Sequence, residues 1–149
     1  MPFRFSLQAV LRFRESFERR ERLRLEAITR EVSKAQQELE QAKLDRAQAV
    51  IQWQNRVRQG VAAGEMHFEL ACDRSRLRRI AGWNEQVAKL EDLRQGQIEI
   101  YRKAQQQRKI LENLRNRQLA AHQIVQARRQ QQELDDRFLL THAGKSPQM

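Results

Sequence analysis

The sequence predicts an all-α fold, a long antiparallel two-helix coiled-coil hairpin whose second helix is longer than its first. Gly and Pro are scarce, with 5 and 2 among 149 residues, so few positions would interrupt a helix. Apolar residues recur at alternating steps of three and four, as the seam of a coiled coil requires. Charged residues make up 32% of the chain and aromatic residues only 6%, a balance that suits a narrow seam better than a compact core.

The first helix is predicted over about residues 6–58. Ser6 suits the N-cap position, because a serine hydroxyl can accept a hydrogen bond from a free backbone N–H of the first turn. The clearest seam follows with heptad spacing at Leu25, Ile28, Val32, Ala35, Leu39 and Ala42. The pattern is interrupted at Arg46 and resumes at Val50, Trp53 and Val57, which is the spacing of a stutter in the heptad repeat.

A bend is predicted over residues 59–64, with the sequence Gln59-Gly60-Val61-Ala62-Ala63-Gly64. Gly adopts positive φ at little cost, so two glycines let the first helix end and the chain reverse. The second helix is predicted over about residues 65–140, within a single domain that spans residues 1–149. Residues 145–149 are predicted to be a disordered tail. The seam of the second helix is predicted at Leu70, Leu77, Ile80, Trp83, Val87, Leu90, Ile98, Tyr101, Ala104 and Leu111.

The bend lies off-centre, so the second helix outruns the first. Antiparallel pairing places the start of the first helix opposite roughly residue 120. About 20 residues at the end of the second helix therefore have no partner within the chain. We expect this end to fray or to be held by another protein.

The chain is strongly basic, with a net charge of +10 from 29 Lys and Arg against 19 Asp and Glu. Such a charge fits nucleic acid, an anionic lipid surface or an acidic protein as partner. Acidic residues are interleaved through most of the chain, which weakens the nucleic-acid interpretation. The single cysteine, Cys72, excludes an internal disulfide, and no apolar run approaches the roughly 18 residues of a membrane span.

No motif for catalysis or cofactor binding occurs in the sequence. The glycines do not form a phosphate-binding loop, and His67, His122 and His142 do not lie at metal-ligand spacing from Cys72. A two-helix coiled coil also lacks a pocket that would desolvate a catalytic carboxylate. We therefore predict a protein that is not an enzyme and that uses no cofactor and no metal.

The end of the second helix carries the most distinctive candidate binding residues. Leu134 and Phe138 are apolar anchors one turn apart, and charged residues around them would orient a partner. The candidate group, to which the start of the first helix adds two phenylalanines, comprises Phe3, Phe5, Arg128, Arg129, Leu134, Asp135, Asp136 and Phe138. A solvated helix end, with the two phenylalanines capping the first helix, explains the same residues without a partner.

A second candidate group, near the bend, comprises Trp53, Cys72 and Trp83. Both tryptophans fall on the predicted seams, so packing between the helices explains them. A partly exposed aromatic patch near the bend would instead be a binding hot spot. Cys72 is a small residue that suits helix packing.

Several blocks of the sequence occur in a recognisable order. Residues 3–11 have the pattern F-x-F-x-L-x-x-[VL]-L, with Arg14 soon after, and the middle of the chain has the bend that contains Gly60. Residues 107–114 resemble an R-K-x-x-E-x-L block, and residues 131–136 resemble Q-x-x-L-D-E, with Asp136 in place of the usual Glu. In these blocks the chain resembles the FliJ family, the small coiled-coil proteins of the bacterial flagellar type III export apparatus.

The resemblance implies a non-enzymatic stalk component. Its terminal end, with the group around Leu134 and Phe138, would insert into the hexameric export ATPase and promote its assembly and activity. The half near the bend, with Trp53, Cys72 and Trp83, would contact the export-gate membrane protein, and export chaperones are further partners. The implied location is the bacterial cytoplasm, peripheral at the cytoplasmic face of the inner membrane at the flagellar base. No nucleic acid and no stable homo-oligomer are expected.

Three alternatives stay open on the sequence alone. The equivalent stalk of a virulence type III secretion system has the same architecture. A basic coiled coil that binds nucleic acid would show binding that weakens steeply with salt. A plain homodimeric coiled-coil spacer would be about twice as long as the hairpin.

Overall fold

The computed structural model describes residues 2–144, and two helices account for almost all of them. Helix α1 spans Gln8–Gln59 and helix α2 spans Ala63–Ala143. The helices pack against each other and α2 is the longer, which confirms the predicted fold class. No strand occurs among residues 2–144, and the predicted tail at 145–149 lies outside the described residues.

Helix α1 begins two residues later than predicted. The Gln8 N–H donates to the Phe5 carbonyl at 3.1 Å, which forms a turn ahead of the helix. The Leu11 N–H then donates to the Leu7 carbonyl at 2.9 Å. The carbonyl that accepts the first intrahelical bond therefore belongs to Leu7 and not to Ser6, a shift within the usual scatter of helix ends.

The reversal between the helices is shorter than predicted and covers residues 60–62. Gly60 has a φ of 94°, a backbone conformation that residues with a Cβ rarely adopt. Gly64 lies in the first turn of α2, where the Met66 N–H already donates to the Ala62 carbonyl at 3.2 Å. One glycine therefore makes the turn, and the second is an ordinary helical residue.

The described chain divides into two compact units. The bend unit comprises Arg19–Arg102. The terminal unit combines residues 2–18 with residues 103–144. Each unit contains a stretch of both helices, and the folding of the chain as a single domain stays a prediction.

The predicted apolar seam forms the core of the bend unit. Leu39 and Ala42 are buried, with 8% and 4% of their surface exposed. A cluster of buried residues and of partly buried residues packed against them consists of Val32, Ala35, Leu90, Ile28, Trp83 and Val87. The steps of three and four therefore predicted correctly which side of α1 faces α2 along this stretch.

Polar side chains also pair across the two helices in the bend unit. At the predicted stutter, Arg46 Nε and Nη2 donate to Asp73 Oδ1 and Oδ2 at 3.0 and 3.2 Å. At a second position, Gln97 Nε2 donates to Glu21 Oε2 at 2.5 Å and to the Glu21 carbonyl at 3.1 Å. Such pairs specify the register of the two helices, because a shifted pairing would leave buried polar groups without partners.

An arginine bridges the two helices in the terminal unit. Arg108 donates through Nε to Glu18 on α1 and through Nη1 to Glu112 on α2. The hydrogen bond to Glu18 raises the pKa of Arg108 above its ordinary value, so the guanidinium stays charged at every physiological pH. Arg14 Nη1 adds a second contact between the helices by donating to Gln107 Oε1 at 2.6 Å.

The start of the chain packs onto α2 within the terminal unit. The rings of Phe3 and His122 lie with their centroids 5.5 Å apart, which agrees with the predicted pairing near residue 120. Phe5 and Leu11 are buried on the α1 side, and Ala104 is buried on the α2 side. These contacts fix how far along α2 the first helix and its leading residues extend.

Candidate docking surfaces

The end of α2 is uncovered. Gln126 is the last half-buried residue of the helix, and every described residue from 127 to 144 is exposed. The residues that precede α1 pack near His122, so the part of the chain that the structure describes has nothing left to cover the helix beyond this point. We call residues 127–144 the overhang.

The overhang continues a second heptad pattern that the sequence reasoning did not isolate. Steps of four and three lead through Ala120, Ile124, Ala127, Gln131, Leu134 and Phe138, which we call the outer stripe. Each residue advances about 100° around a helix, so Ile124 lies about 160° from the half-buried His122 and Gln126. The outer stripe therefore lies on the side of α2 that faces away from the covered residues.

The large residues of the outer stripe are accessible. Ile124, Leu134 and Phe138 have 55%, 59% and 61% of their surface exposed. The Phe138 ring lies 3.9 Å, centroid to centroid, from the ring of His142 one turn later. This contact restricts the phenylalanine side chain, so less side-chain entropy is lost when a partner immobilises it.

Two charged residues of opposite sign border the outer stripe. Arg128 is exposed at the start of the overhang and Asp135 about two turns later, each within about 60° of the nearest stripe residues around the helix. Arg129 and Asp136 are also exposed, but they lie about 140–160° from the neighbouring stripe residues. Asp135 Oδ1 accepts a hydrogen bond from Gln131 Nε2 at 3.1 Å, which holds the carboxylate beside the stripe. A partner with the reverse order of charges would be oriented along the helix by these groups.

The two phenylalanines of the first candidate group have different surroundings. Phe5 is only 7% exposed, so it packs inside the terminal unit and presents no free ring. Phe3 is half-buried beside His122, and His122 lies four residues before Gln126, the last covered residue of α2. Phe3 therefore lies close to the beginning of the overhang, whereas Phe5 supports this part of the fold from within.

A second exposed surface lies in the bend unit around Trp53. The tryptophan lines a cavity of about 180 Å³, whose other walls are Val50, Met66, Glu69, Leu70 and Asp73. The Arg56 guanidinium lies 5.7 Å from the centroid of the Trp53 ring. The cavity thus combines mostly apolar lining residues with two carboxylates, a composition typical of sites that accept an apolar side chain of a partner.

Several apolar residues of the bend unit are exposed contrary to expectation. Phe68 is 71% exposed and Ile51 is 58% exposed, and neither falls on a predicted seam. Leu70 and Leu77 were predicted in the seam of the second helix, but they are 56% and 44% exposed. The sequence did carry a signal for Phe68 and Ile51, because both are large apolar residues out of phase with the predicted heptads. Such residues indicate a surface for a partner.

Trp83 and Cys72 do not join Trp53 in one pocket. Trp83 packs against the buried cluster of Val32, Ala35 and Leu90, as its seam position predicted. Cys72 is a free thiol and is half-buried. A role of these residues in contacting an export gate stays a prediction.

Within residues 2–144, no group of three or more His, Cys, Asp or Glu side chains could hold a metal ion. No helix in the described part of the chain has the length and apolarity that a bilayer crossing requires.

The protein is a coiled-coil hairpin by class. Its defining features are two long antiparallel helices, a register set by polar pairs and an uncovered helix end. The family model for the flagellar FliJ protein matches residues 3–146 of the 149-residue chain. The chain therefore belongs to the FliJ family, the structural coiled-coil components of the flagellar export apparatus. No match to this chain was found among curated proteins or among solved structures.

Proposed function

We propose that this chain is the stalk that binds the hexameric export ATPase, promotes its assembly and activity, and links it to the export gate and to export chaperones. Membership of the FliJ family supports a place in the flagellar export apparatus. The observation that carries the ATPase contact is the outer stripe, which extends along an overhang that the described chain leaves uncovered. A heptad stripe of this kind is the face that a partner helix or groove requires.

Leu134 and Phe138 are the proposed anchors of this contact. They lie one turn apart on the outer stripe and expose more than half of their surface. Burying both in a partner would contribute about 2–4 kcal/mol, since part of each side chain is already covered by its own helix. Contributions of this size at the centre of an interface distinguish anchors from surrounding contacts.

The charged groups of the overhang would set the direction of docking. Arg128 precedes the anchors and Asp135 lies between them along the helix, both close to the outer stripe, while Arg129 and Asp136 would meet only a partner that also reaches around the helix. A partner surface with an acidic group opposite Arg128 and a basic group opposite Asp135 would accept the helix in one direction only. Exposed charges of this kind affect the association rate and its salt dependence more than the affinity.

The surface around Trp53 is the proposed contact with the export gate. Two of its lining residues, Met66 and Leu70, are 48% and 56% exposed and offer apolar area to a second partner. This surface belongs to the bend unit, while the overhang belongs to the terminal unit. Distinct surfaces on distinct units would let one chain hold two partners at the same time, which is what a linking role requires.

Deletion of residues 128–149 tests the ATPase contact. The truncated chain retains the polar pairs that hold α1 against α2, including Arg46–Asp73 and Glu18–Arg108, so it keeps its paired helices. We expect the full chain to stimulate its cognate export ATPase and the truncated chain to lose this stimulation. Undiminished stimulation by a truncated chain that is helical by circular dichroism would overturn the proposal.

A further inference from the structure

A stripe of cations and isoleucines extends along α2 in the terminal unit. It consists of Lys103, Ile110, Arg117, Ile124 and Arg128, at steps of seven, seven, seven and four. A step of seven residues returns to within about 20° of the same side of a helix, so the five side chains share one face. Ile110 and Ile124 are 66% and 55% exposed, and the three cations are exposed as well. We call this set the cation–isoleucine stripe.

The cation–isoleucine stripe faces away from α1. Ala104, which is 1% exposed, marks the side of α2 that α1 covers in this unit. At about 100° per residue, Lys103 lies about 100° from Ala104, and Ile124 lies about 160° from it. The stripe therefore meets solvent along 26 residues of helix, or about 39 Å.

The surroundings of the stripe are almost free of negative charge. Residues 103–132 contain seven basic residues and a single acidic residue, Glu112. Glu112 accepts a hydrogen bond from Arg108, which also binds Glu18 across the helix pair. The carboxylates of Glu112 and Glu18 thus both pair with Arg108, on another side of the helix. They therefore do not neutralise the positive charge of the stripe.

The pattern of apolar residues argues against a third helix as the partner of this stripe. Ile110 and Ile124 are 14 residues apart, which separates them by about 21 Å along the helix. A packing helix needs apolar residues at i, i+3, i+4 and i+7, but after Ile110 the i+3 and i+7 positions are Asn113 and Arg117, and Leu114 at i+4 is half-buried. Isolated aliphatic residues between cations are not a seam.

A nucleic acid would use the cations and leave the isoleucines without a role, because its contacts are to phosphates and to base edges. An anionic lipid surface uses both kinds of residue. Basic side chains are attracted to the charged headgroups, and aliphatic side chains enter the boundary between headgroups and acyl chains. The five side chains lie within about 60° of one another around the helix, so they can meet a planar surface at the same time.

We propose that the cation–isoleucine stripe binds the surface of membranes that contain anionic lipids. The helix lies on the surface, with Lys103, Arg117 and Arg128 at the headgroups and Ile110 and Ile124 inserted at the boundary. The stripe shares Ile124 and Arg128 with the surface of the proposed ATPase contact, but membrane binding needs neither the ATPase nor the anchors Leu134 and Phe138. It gives the chain a direct hold on a membrane in addition to any protein partner there.

Vesicle cosedimentation with the full chain tests the proposal. We expect binding to vesicles of phosphatidylcholine and phosphatidylglycerol, weakening as salt is added, and no binding to phosphatidylcholine alone. The variant Lys103→Gln/Arg117→Gln/Arg128→Gln should bind about 100-fold more weakly, since each basic residue near such a surface contributes roughly fivefold in affinity. Equal binding to both kinds of vesicle would overturn the proposal.

A matched control removes the same charge elsewhere. Arg74, Arg78 and Arg79 are exposed cations of the bend unit, and their triple Gln variant should keep vesicle binding within about threefold of the unaltered chain. An equal loss in both triple variants would mean that net charge alone drives binding, and the stripe would have no special role. Circular dichroism should show the same helicity for all variants, because every changed side chain is exposed.

Replacing the isoleucines separates a membrane from a polyanion. Ile110→Ser/Ile124→Ser should lower vesicle binding about tenfold while leaving any binding to duplex DNA unchanged. Vesicle binding that is insensitive to this change would overturn the proposed insertion. Binding to DNA that is tighter than binding to vesicles, and that is lost with the three cations, would assign the stripe to nucleic acid instead.

Discussion

Individual buried polar side chains determine how α1 pairs with α2 in the bend unit. Glu21 is 3% exposed, and its carboxylate and its carbonyl both accept hydrogen bonds from Gln97. Arg24 Nη1 lies 3.5 Å from the other carboxylate oxygen. A buried carboxylate is stable only while such partners are present, so the pair contributes more to the choice of register than to net stability.

Gln97→Leu should destabilise the chain by about 1–3 kcal/mol, because it leaves the Glu21 carboxylate buried without its main donor. The double variant Glu21→Leu/Gln97→Leu should recover most of this loss, since two apolar side chains can replace a buried polar pair at little cost. Urea unfolding followed by circular dichroism measures both effects. A double variant that is less stable than Gln97→Leu would show that the hydrogen bonds themselves supply net stability.

At the scale of elements, heptad spacing identified the helices and most of the buried side of α1. Val32, Ala35, Leu39 and Ala42 are all buried, as their steps of three and four predicted. Spacing did not reveal Gln97 as a seam residue, because a polar side chain enters the interior only when the opposite helix supplies its partner. It also placed Leu70 in the seam, although the residue is exposed.

The candidate site was predicted in part. The overhang and its residues Leu134 and Phe138 followed from the off-centre bend, and the structure shows both side chains exposed. The outer stripe was not predicted, since a second heptad is recognised only after the covered side of α2 is known. Phe5 was placed in the candidate binding group, with capping of the first helix as the alternative, and its burial depends on contacts that spacing does not give.

Glycine substitutions test the bend as an element. Gly60→Ala should cost about 1–2 kcal/mol, because Gly60 has a φ of 94°. Gly82→Ala should instead stabilise the chain by up to about 1 kcal/mol, since Gly82 lies within α2 and an added Cβ would meet no atom within 4 Å. Thermal or urea unfolding distinguishes the two signs, and a neutral Gly60→Ala would contradict the strained turn.

The overhang should be the least stable part of α2. Its residues from 127 to 143 are helical and exposed, and a helical segment without packing is marginal in water. Hydrogen exchange should therefore be faster at these amides than at residues 104–126, which pack in the terminal unit. Binding of the export ATPase should slow exchange in the overhang. Equal exchange rates along α2 in the free chain would contradict this account.

At the scale of the whole molecule, the chain belongs to the FliJ family and carries a net charge of +10. Its two units expose different surfaces, the outer stripe in the terminal unit and the cavity around Trp53 in the bend unit. Substitutions at these surfaces remove few buried contacts. The effect of a substitution on binding can therefore be measured separately from its effect on stability. Docking through the outer stripe can therefore be tested with point variants.

The most direct test is the affinity of the export ATPase for three versions of the full chain. Leu134→Ala/Phe138→Ala removes both anchors of the outer stripe and should weaken binding about 30- to 1000-fold. Leu140→Ala is the matched control, because Leu140 is 75% exposed on the same overhang but lies about 160° around the helix from Phe138. We expect the control to bind within about twofold of the unaltered chain. Unchanged binding of the double variant, or an equal loss in the Leu140 control, would contradict docking through the outer stripe.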